Sequence, residues 1–449
     1  MLNGDQSPQF IDLFAGCGGL SLGLMRSGWK GLFAIEKSPM AFETLQFNLI
    51  DKADQFSYSW PDWLPKKALS IQQVMNKYRQ QLIKLQGVDL LAGGPPCQGF
   101  SVAGRRNVND ARNRLVKDYL SFVKLLQPKV ILLENVRTFA TSFGKTERGT
   151  KGIPILKNQY NADDYVQKKL RALGYTVFVK NPVMAKDFGV PQLRPRYILI
   201  GIKTELLADY LHDNIEPFHL LEDIRQTFLN SLGLPKVGVS LAQAISDLEI
   251  SHGTVDCVEP SMKRFRQGIY GPTIGAYQEL MRRGRDGSVL TAGKVVDSHR
   301  FANHNATTSS RFQKIILNYT PGKQLTQDQV RSLGLLKHRV ALLSAADVCN
   351  TLTSLPDDLV HYSEPRILTV REYARIQSFP DWFEFKSQYT TGGKRRRDQV
   401  PRYTQVANAV PPLLASAVGE ALLKIIKKSI TSEKPIAINM QYMVSDKVF

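Results

Sequence analysis

Gly93-Gly94-Pro95-Pro96-Cys97-Gln98-Gly99-Phe100-Ser101 mounts one cysteine in a stiff turn behind an apolar run, Val88-Asp89-Leu90-Leu91-Ala92. The run reads as a short buried strand. The glycines end it, and the paired prolines restrict the backbone that leads to Cys97. A thiol presented this way is a candidate nucleophile, and it needs an electrophile and a partner that manages protons. Leu132-Leu133-Glu134-Asn135-Val136 places a carboxylate at the end of a second apolar run, Val130 to Leu133. Gln192-Leu193-Arg194-Pro195-Arg196 places two guanidinium groups before a third, Tyr197 to Ile200. Glu134 could move a proton or simply cap an element. The arginines could hold a substrate oxygen and favour a thiolate, or stand in solvent.

A fourth feature suits a cofactor. Phe10-Ile11-Asp12-Leu13-Phe14 runs into Ala15-Gly16-Cys17-Gly18-Gly19 and a helix starting near Leu20. Glycines let a ligand approach the backbone, and helix N-terminal amides offer donors to a carboxylate or phosphate. Glu36 ends the next strand, where an acidic side chain can accept ribose hydroxyls. The pattern alone leaves a dinucleotide and S-adenosylmethionine both open. Ser21 stands where a dinucleotide fingerprint has its third glycine, which tilts the choice away from NAD.

These groups must be positioned by the elements around them. Up to about residue 203, short apolar runs alternate with amphipathic stretches: Phe10 to Phe14, Gly31 to Ile35, Val88 to Ala92, Val130 to Leu133, Thr176 to Val179 and Tyr197 to Ile202. Tyr165 to Leu173 followed by Gly174 reads as a helix with its C-terminal glycine. The alternation predicts an α/β fold with a doubly wound, mostly parallel sheet. In such sheets ligands bind beyond the carboxyl ends of the strands, the edge from which Gly16, Glu36, Cys97 and Glu134 would project. Arg194 and Arg196 precede their strand, so they reach that edge only if the strand runs antiparallel to the others. Beyond residue 204 the rhythm weakens into mixed polar and basic pieces, which predicts a second, smaller and irregular domain. Regular patterning returns over Arg366 to Pro380, extended and then helical, and in the apolar helix Leu413 to Ile426.

The chain has 449 residues, 43% of them hydrophobic, enough for a large core divided between two domains. No run of eighteen apolar residues and no signal-peptide pattern is seen at Met1-Leu2-Asn3-Gly4-Asp5-Gln6, so a soluble intracellular protein without a membrane partner is expected. The four cysteines, Cys17, Cys97, Cys257 and Cys349, are too widely spaced for a Cys-x-x-Cys ligand set, which predicts free thiols and no structural metal. A formal charge of +19 favours polyanions through attraction and counterion release, with nucleic acid the leading partner.

In these residues the chain resembles the cytosine-5 DNA methyltransferases, with bacterial modification enzymes the nearest type. The likeness covers Phe10 to Leu24, Glu36, Asp89 to Ser101, Asp110 to Tyr119, Leu132 to Val136, Asp187 to Gly201, Arg366 to Pro380 and Gln405 to Pro412. The ordered set Pro-Pro-Cys-Gln, Glu-Asn-Val and Gln-x-Arg-x-Arg makes it specific. It implies a Rossmann-like class I methyltransferase fold, with residues 1–204 plus 405–449 as the catalytic domain and 205–404 as the target-recognition domain. Most sequence reading would fall between about 205 and 365.

The resemblance further implies that Cys97 attacks C6 of a cytosine flipped out of duplex DNA, and that a methyl group passes from S-adenosylmethionine to C5. Glu134 would contact N3 and the exocyclic amine, Arg196 the base oxygen, and Arg194 would order the loop around Cys97. Residues Gln98 to Arg114 would close as a lid. Phe14, Gly16, Gly18, Glu36, Ile71, Pro95, Leu115, Asn408 and Val410 would surround the cofactor. Two departures stand out: Ser70 precedes Ile71 where relatives carry Asp against the adenine, and Ala407 replaces a common glycine. A cytoplasmic, nucleoid-associated monomer is expected, accompanied by a cognate restriction endonuclease. A tRNA-directed relative would share the core but carry a Cys-Phe-Thr signature that is missing here. A catalytically silent DNA-binding relative would have no need for Cys97, Glu134, Arg194 and Arg196 together.

Overall fold

The computed structural model describes residues 7–96, 113–141, 143–148, 154–208, 216–257, 264–335, 339–391, 395 and 399–432. Strand β1 (Gln9–Leu13) turns into helix α1 (Gly19–Arg26), then β2 (Lys30–Ile35), α2 (Pro39–Leu49), α3 (Ile71–Lys77) and α4 (Arg79–Ile83). Strand β3 (Leu90–Gly93), helix α5 (Asn113–Leu126) and β4 (Val130–Val136) follow. A hairpin of β5 (Phe143–Arg148) and β6 (Pro154–Tyr160) precedes α6 (Ala162–Ala172), β7 (Tyr175–Met184), the short β8 (Gln192–Leu193) and β9 (Pro195–Lys203).

The main sheet has the order β2-β1-β3-β4-β9-β7. The first four strands pair in parallel, β9 is antiparallel to β4, and β7 is antiparallel to β9, so β9 alone is reversed. The mostly parallel sheet and the reversed strand required for Arg194 and Arg196 are both present. Buried residues alternate between two cores. Phe10, Ala34, Leu90 and Leu132 face α1 and the C-terminal helices, while Ile11, Leu13, Leu91 and Leu133 face α5 and α6. That is the two-sided cover a parallel sheet requires.

The second half contributes α7 (Thr204–Ala208), α8 (Pro217–Ser231), α9 (Leu241–Ile245), β10 (Thr254–Asp256), β11 (Arg266–Ile269), α10 (Ala276–Arg282) and β12 (Val295–Arg300). Then come α11 (Ala306–Asn318), α12 (Gln327–Ser332), β13 (Ala341–Leu342), β14 (Cys349–Asn350) and β15 (Leu359–Val360). The chain closes with α13 (Val370–Ile376), α14 (Arg402–Asn408) and α15 (Pro412–Ser432). β10, β11 and β12 form a small antiparallel sheet; the other strands here pair only in short ladders. Helix α15 returns to the main sheet. A Cβ on Gly23 of α1 would lie 2.3 Å from that of Ala415, so the glycine permits the close helix contact. Ser416 donates to the Gly23 carbonyl at 3.0 Å. Helix α8 also packs on α15, placing Phe218 and Leu221 in the same core as Leu413. The stretch Arg402–Lys427 is long and apolar enough to cross a membrane by length and composition, and 78% of its most apolar window is buried inside the protein.

Candidate active site

Glu134 and Arg196 meet because β4 and β9 are antiparallel neighbours. Register pairs Glu134 with Ile198 and Val136 with Arg196, so the two side chains are diagonal neighbours. Arg196 Nε lies 2.6 Å from Glu134 Oε1, with side-chain exposures of only 8% and 12%. Burial lowers the Arg196 pKa and the Glu134 charge opposes that shift.

The strand ahead of Cys97 is fitted to the same spot. A Cβ on Gly94 would lie 3.2 Å from the Glu134 carbonyl and 3.3 Å from Glu134 Oε2, a gap in which glycine fits most easily. Asn135 then holds the turn, its Nδ2 donating to the Pro95 carbonyl at 2.9 Å while its Oδ1 accepts the Val136 amide. Pro95 is buried, and the described chain stops at Pro96. Cys97 and the expected lid from Gln98 lie outside the described residues as far as Arg112; Asn113 and Arg114 open α5.

On the other side of β1, the loop to α1 turns through positive φ at Phe14, Gly16 and Gly18. The Gly16 amide donates to Glu36 Oε2 at 2.9 Å, and Ser38 donates to Oε1 at 2.6 Å. Burial raises the Glu36 pKa against these hydrogen bonds. A Cβ on Gly16 would meet nothing within 4 Å, so the loop borders open space. Gly18 differs: its Cβ would strike Leu45 and Leu49, so its lack of a side chain serves packing on α2.

Ile71 is buried at the start of α3, beside Glu36 through the Leu69 amide on the Glu36 carbonyl. The Ser70 hydroxyl accepts the Gln73 amide at 3.2 Å and the Gln73 side chain returns to Ser70. Ser70 is thus a helix cap, a role that gives Ser at this position its own physical reason. Leu115, half-buried on α5, stands on the helix that Gln72 joins through Asp118.

Asn408 and Val410 arrive from the far end of the chain. A Cβ on Gly19 would lie 2.3 Å from the Val410 carbonyl, so this segment rests on the first turn of α1. Asn408 is exposed and Val410 partly so. Arg194 is buried, with Nη2 donating to the carbonyls of Ala407 at 2.6 Å and Ala409 at 3.1 Å. Burial pushes its pKa well down, with Arg196 adding to the shift and Glu134 opposing it. The described contacts of Arg194 fix the backbone on both sides of Asn408; the loop of Cys97 that it is expected to order lies outside the described residues.

Sequence reasoning missed the amides that hold this arrangement. Gln192 donates to Gln377 Oε1 at 2.6 Å and accepts from Arg194, while Gln377 donates to the Ala409 carbonyl. Asn135 and Gln192 stand inside the motifs, but an amide gives no local cue to the carbonyl it will reach. Asp12 was also passed over: it is buried, accepts from Ser21 at 2.5 Å, and burial pushes its pKa up to about 7. Cys17 and Cys349 are buried free thiols whose pKa is pushed up to about 12 by burial, which makes them poor nucleophiles.

The family model for C-5 cytosine-specific DNA methylase matches residues 8–424. The chain is 30% identical over 430 residues to the type II methyltransferase M.DdeI of Desulfomicrobium norvegicum, covering 92% of this chain and 88% of that protein. It is likewise 30% identical to the type II methyltransferase M1.HphI of Haemophilus parahaemolyticus, covering 93% and 87%. Among solved structures, a prophage-encoded DNA modification methyltransferase of E. coli superimposes with a TM-score of 0.60 at 22% identity, covering 94% of this chain and all of that one. That likeness concerns the fold.

Proposed function

The chain belongs to the C-5 cytosine-specific DNA methylase family and is a DNA cytosine-5 methyltransferase, and from that premise we propose that Cys97, Glu134 and Arg196 form the reacting centre. The observation that carries this reading is the Glu134–Arg196 pair with Gly94 against it, three residues before Cys97.

Cytosine C5 is a poor nucleophile. Attack of the Cys97 thiolate on C6 turns the ring into an enamine-like species able to take a methyl group at C5. Glu134 contacts N3 and the exocyclic amine, and protonation there draws electron density through the ring as the thiolate adds. Arg196 keeps Glu134 oriented and holds the base oxygen. Loss of the C5 proton then breaks the C6–sulfur bond and releases Cys97. The target is unreachable inside the stack, so the cytosine is flipped out, at a cost of roughly a few kcal/mol.

The residues present fit S-adenosylmethionine: open space at Gly16, the Glu36 carboxylate beside it, and an exposed Asn408 next to the Ala409–Val410 segment that meets α1. When bound, that cofactor supplies an electrophilic methyl group. Phe14, Gly16 and Val410 would border it, Glu36 would accept ribose hydroxyls, and Ile71, Pro95, Leu115 and Asn408 would complete the pocket. Gly18 would contribute through the path of the loop.

The remainder of the reading concerns organisation. Residues 1–204 plus 405–449 form the catalytic unit and 205–404 the recognition unit, acting as a monomer on double-stranded DNA in the cytoplasm beside a cognate restriction endonuclease. The type II names of the relatives support that last assignment.

Trapping tests the mechanism. Duplex containing 5-fluorocytosine in the recognised word, with S-adenosylmethionine, should yield a covalent complex that survives denaturation, and Cys97→Ala should yield none. Failure of the intact protein to trap on a verified word would overturn the mechanism. Bisulfite sequencing of DNA from cells expressing the chain identifies that word.

A further inference from the structure

The glycine loop, the helix behind Glu36 and the turn that bears Asn408 come from distant stretches of chain, and all of them meet on one buried residue. Gln405 lies one turn before Asn408 in α14 and is 2% exposed. Its Oε1 accepts the Thr44 hydroxyl at 2.7 Å and its Nε2 donates to the Met40 carbonyl at 3.1 Å, both on α2. The same Nε2 reaches the carbonyls of Lys386 at 3.3 Å and Val400 at 3.0 Å. The backbone carbonyl of Gln405 accepts the Cys17 thiol at 3.6 Å, and Cys17 stands between Gly16 and Gly18.

These ties bear on the pocket through short levers. Helix α14 has only 7 residues, and a helix that short is placed by its tertiary contacts rather than by its own stability. Helix α2 starts at Pro39 behind its cap Ser38, and the Ser38 amide is one of the two that hold the Glu36 carboxylate. A shift of α2 therefore shifts Glu36. A primary amide has two N–H groups, and three carbonyls surround this one, so a proton is shared between acceptors. An apolar side chain of the same length would fill the space but withdraw the donor from all three carbonyls. Packing alone does not call for an amide here.

We propose that Gln405 is a positioning residue for S-adenosylmethionine, acting not by contact but by holding Glu36, the Gly16 loop and Asn408 in one fixed arrangement. This role rests on the S-adenosylmethionine reading of the pocket and adds to it the residue on which the walls of that pocket hang. Thr44 is its partner on α2. The Thr44 hydroxyl also accepts the Lys386 amide at 2.9 Å, so one short chain of hydrogen bonds ties α14 to α2 and to Lys386.

The test uses the full chain and calorimetry with S-adenosylhomocysteine, which reads binding without turnover. In Q405M the Kd should rise about tenfold, as the loss of one or two buried hydrogen bonds would produce. The KM for S-adenosylmethionine should rise with it, while kcat at saturation and KM for DNA are kept. A second ligand, the analogue lacking both ribose hydroxyls, shows whether the effect runs through Glu36. Losing the hydroxyls should weaken binding to the parent about tenfold and binding to Q405M only about twofold, since displaced groups no longer couple. T44V should move both readings the same way by about threefold, and T44S, which keeps the hydroxyl, should restore the parental values. A Gln405 that only stabilises the fold would lower the melting temperature and leave the hydroxyl penalty at its parental size. Where Q405M does not fold, T44V against T44S decides by the same readings. Binding within about twofold of the parent, or an unchanged hydroxyl penalty, would overturn this role alone. A parent that binds no S-adenosylhomocysteine, or binds the analogue equally well, would overturn the cofactor reading of Glu36 together with it.

Discussion

Arg196 at the mouth of the sheet and Arg375 on α13 are both nearly sealed from solvent, yet they meet their carboxylates on different terms. Arg375 is surrounded. Nε and Nη2 reach Asp381 at 2.5 and 2.6 Å, Nη1 and Nη2 reach Asp247 at 3.2 and 3.1 Å, and Nη1 also donates to the Ala244 carbonyl. Burial alone would lower its pKa, but the two aspartates outweigh it and the pKa is raised well above the usual value. Arg196 has one carboxylate partner, and burial wins over it. Among the described residues its Nη2 makes no hydrogen bond. A fully paired guanidinium is a clasp that joins α13 to α9. An under-paired one beside a partly exposed Glu134 has donors left for a substrate oxygen. The difference teaches that burial of arginine does not by itself mark a site; incomplete pairing at an open edge does.

The contrast can be broken most decisively at the carboxylates. Glu134→Gln should lower kcat by about 10²–10⁴-fold with little change in melting temperature. An equally large loss of stability would make Glu134 another clasp. Asp381→Ala should do the reverse, costing about 3–5 kcal/mol of folding stability by leaving Arg375 and Arg371 short of a buried partner. Denaturant unfolding measures it, and near-parental stability would show that the network is looser than its geometry.

Acid sharpens the same distinction. Burial lowers His299 from 6.5 to about 4 and His361 to about 3, both close to the Arg366–Glu372 pair of α13. The unfolded chain binds protons at these sites below pH 6.5 and the folded chain resists them. Stability is therefore present in full above about pH 6.5 and falls as pH drops through the range from 6.5 to about 4, by roughly 3 kcal/mol for His299. His299→Gln should flatten that slope in unfolding curves taken at successive pH values. The smallest effect is expected at Arg194. Arg194→Gln should weaken S-adenosylmethionine binding about tenfold, as the loss of one charge-assisted contact to the 407–409 backbone would. Calorimetry reads this directly, and trapping of Cys97 on preformed DNA complexes should persist.

How much of this was visible in the chain differs between the two clusters. The strands at Phe10, Gly31, Val88, Val130 and Tyr197 announced themselves by apolar runs, and their boundaries shift by only a few residues in the fold. Gly174 takes the positive φ expected of a helix-ending glycine. Glu134, Arg196 and the Gly16 loop could be named because each sits beside a strand end. Arg366 to Pro380 showed its helix and its stop. Nothing local told that Arg371 and Arg375 would be sealed in, because Asp247, Asp297 and Asp381 approach from separate segments. The β5–β6 hairpin carries no alternating pattern strong enough to stand out.

Order along the chain therefore determined the chemistry available: a thiol in a stiff turn, a carboxylate ending a strand, a glycine loop with an acidic residue after it, and a large positive charge. Those are local properties of backbone freedom, hydropathy and side-chain type. Tertiary structure decided who meets whom. Reversal of β9 brings Arg196 to Glu134, the return of α14 and α15 sets Ala409 and Val410 against α1, and Gln192 with Gln377 and Arg194 fixes that return. Contacts of this kind join residues far apart in the chain, as Ser416 and Gly23 are at 393 positions. Only the packing of whole elements specifies them, since a hydrogen-bonding side chain carries no record of its partner's place in the sequence.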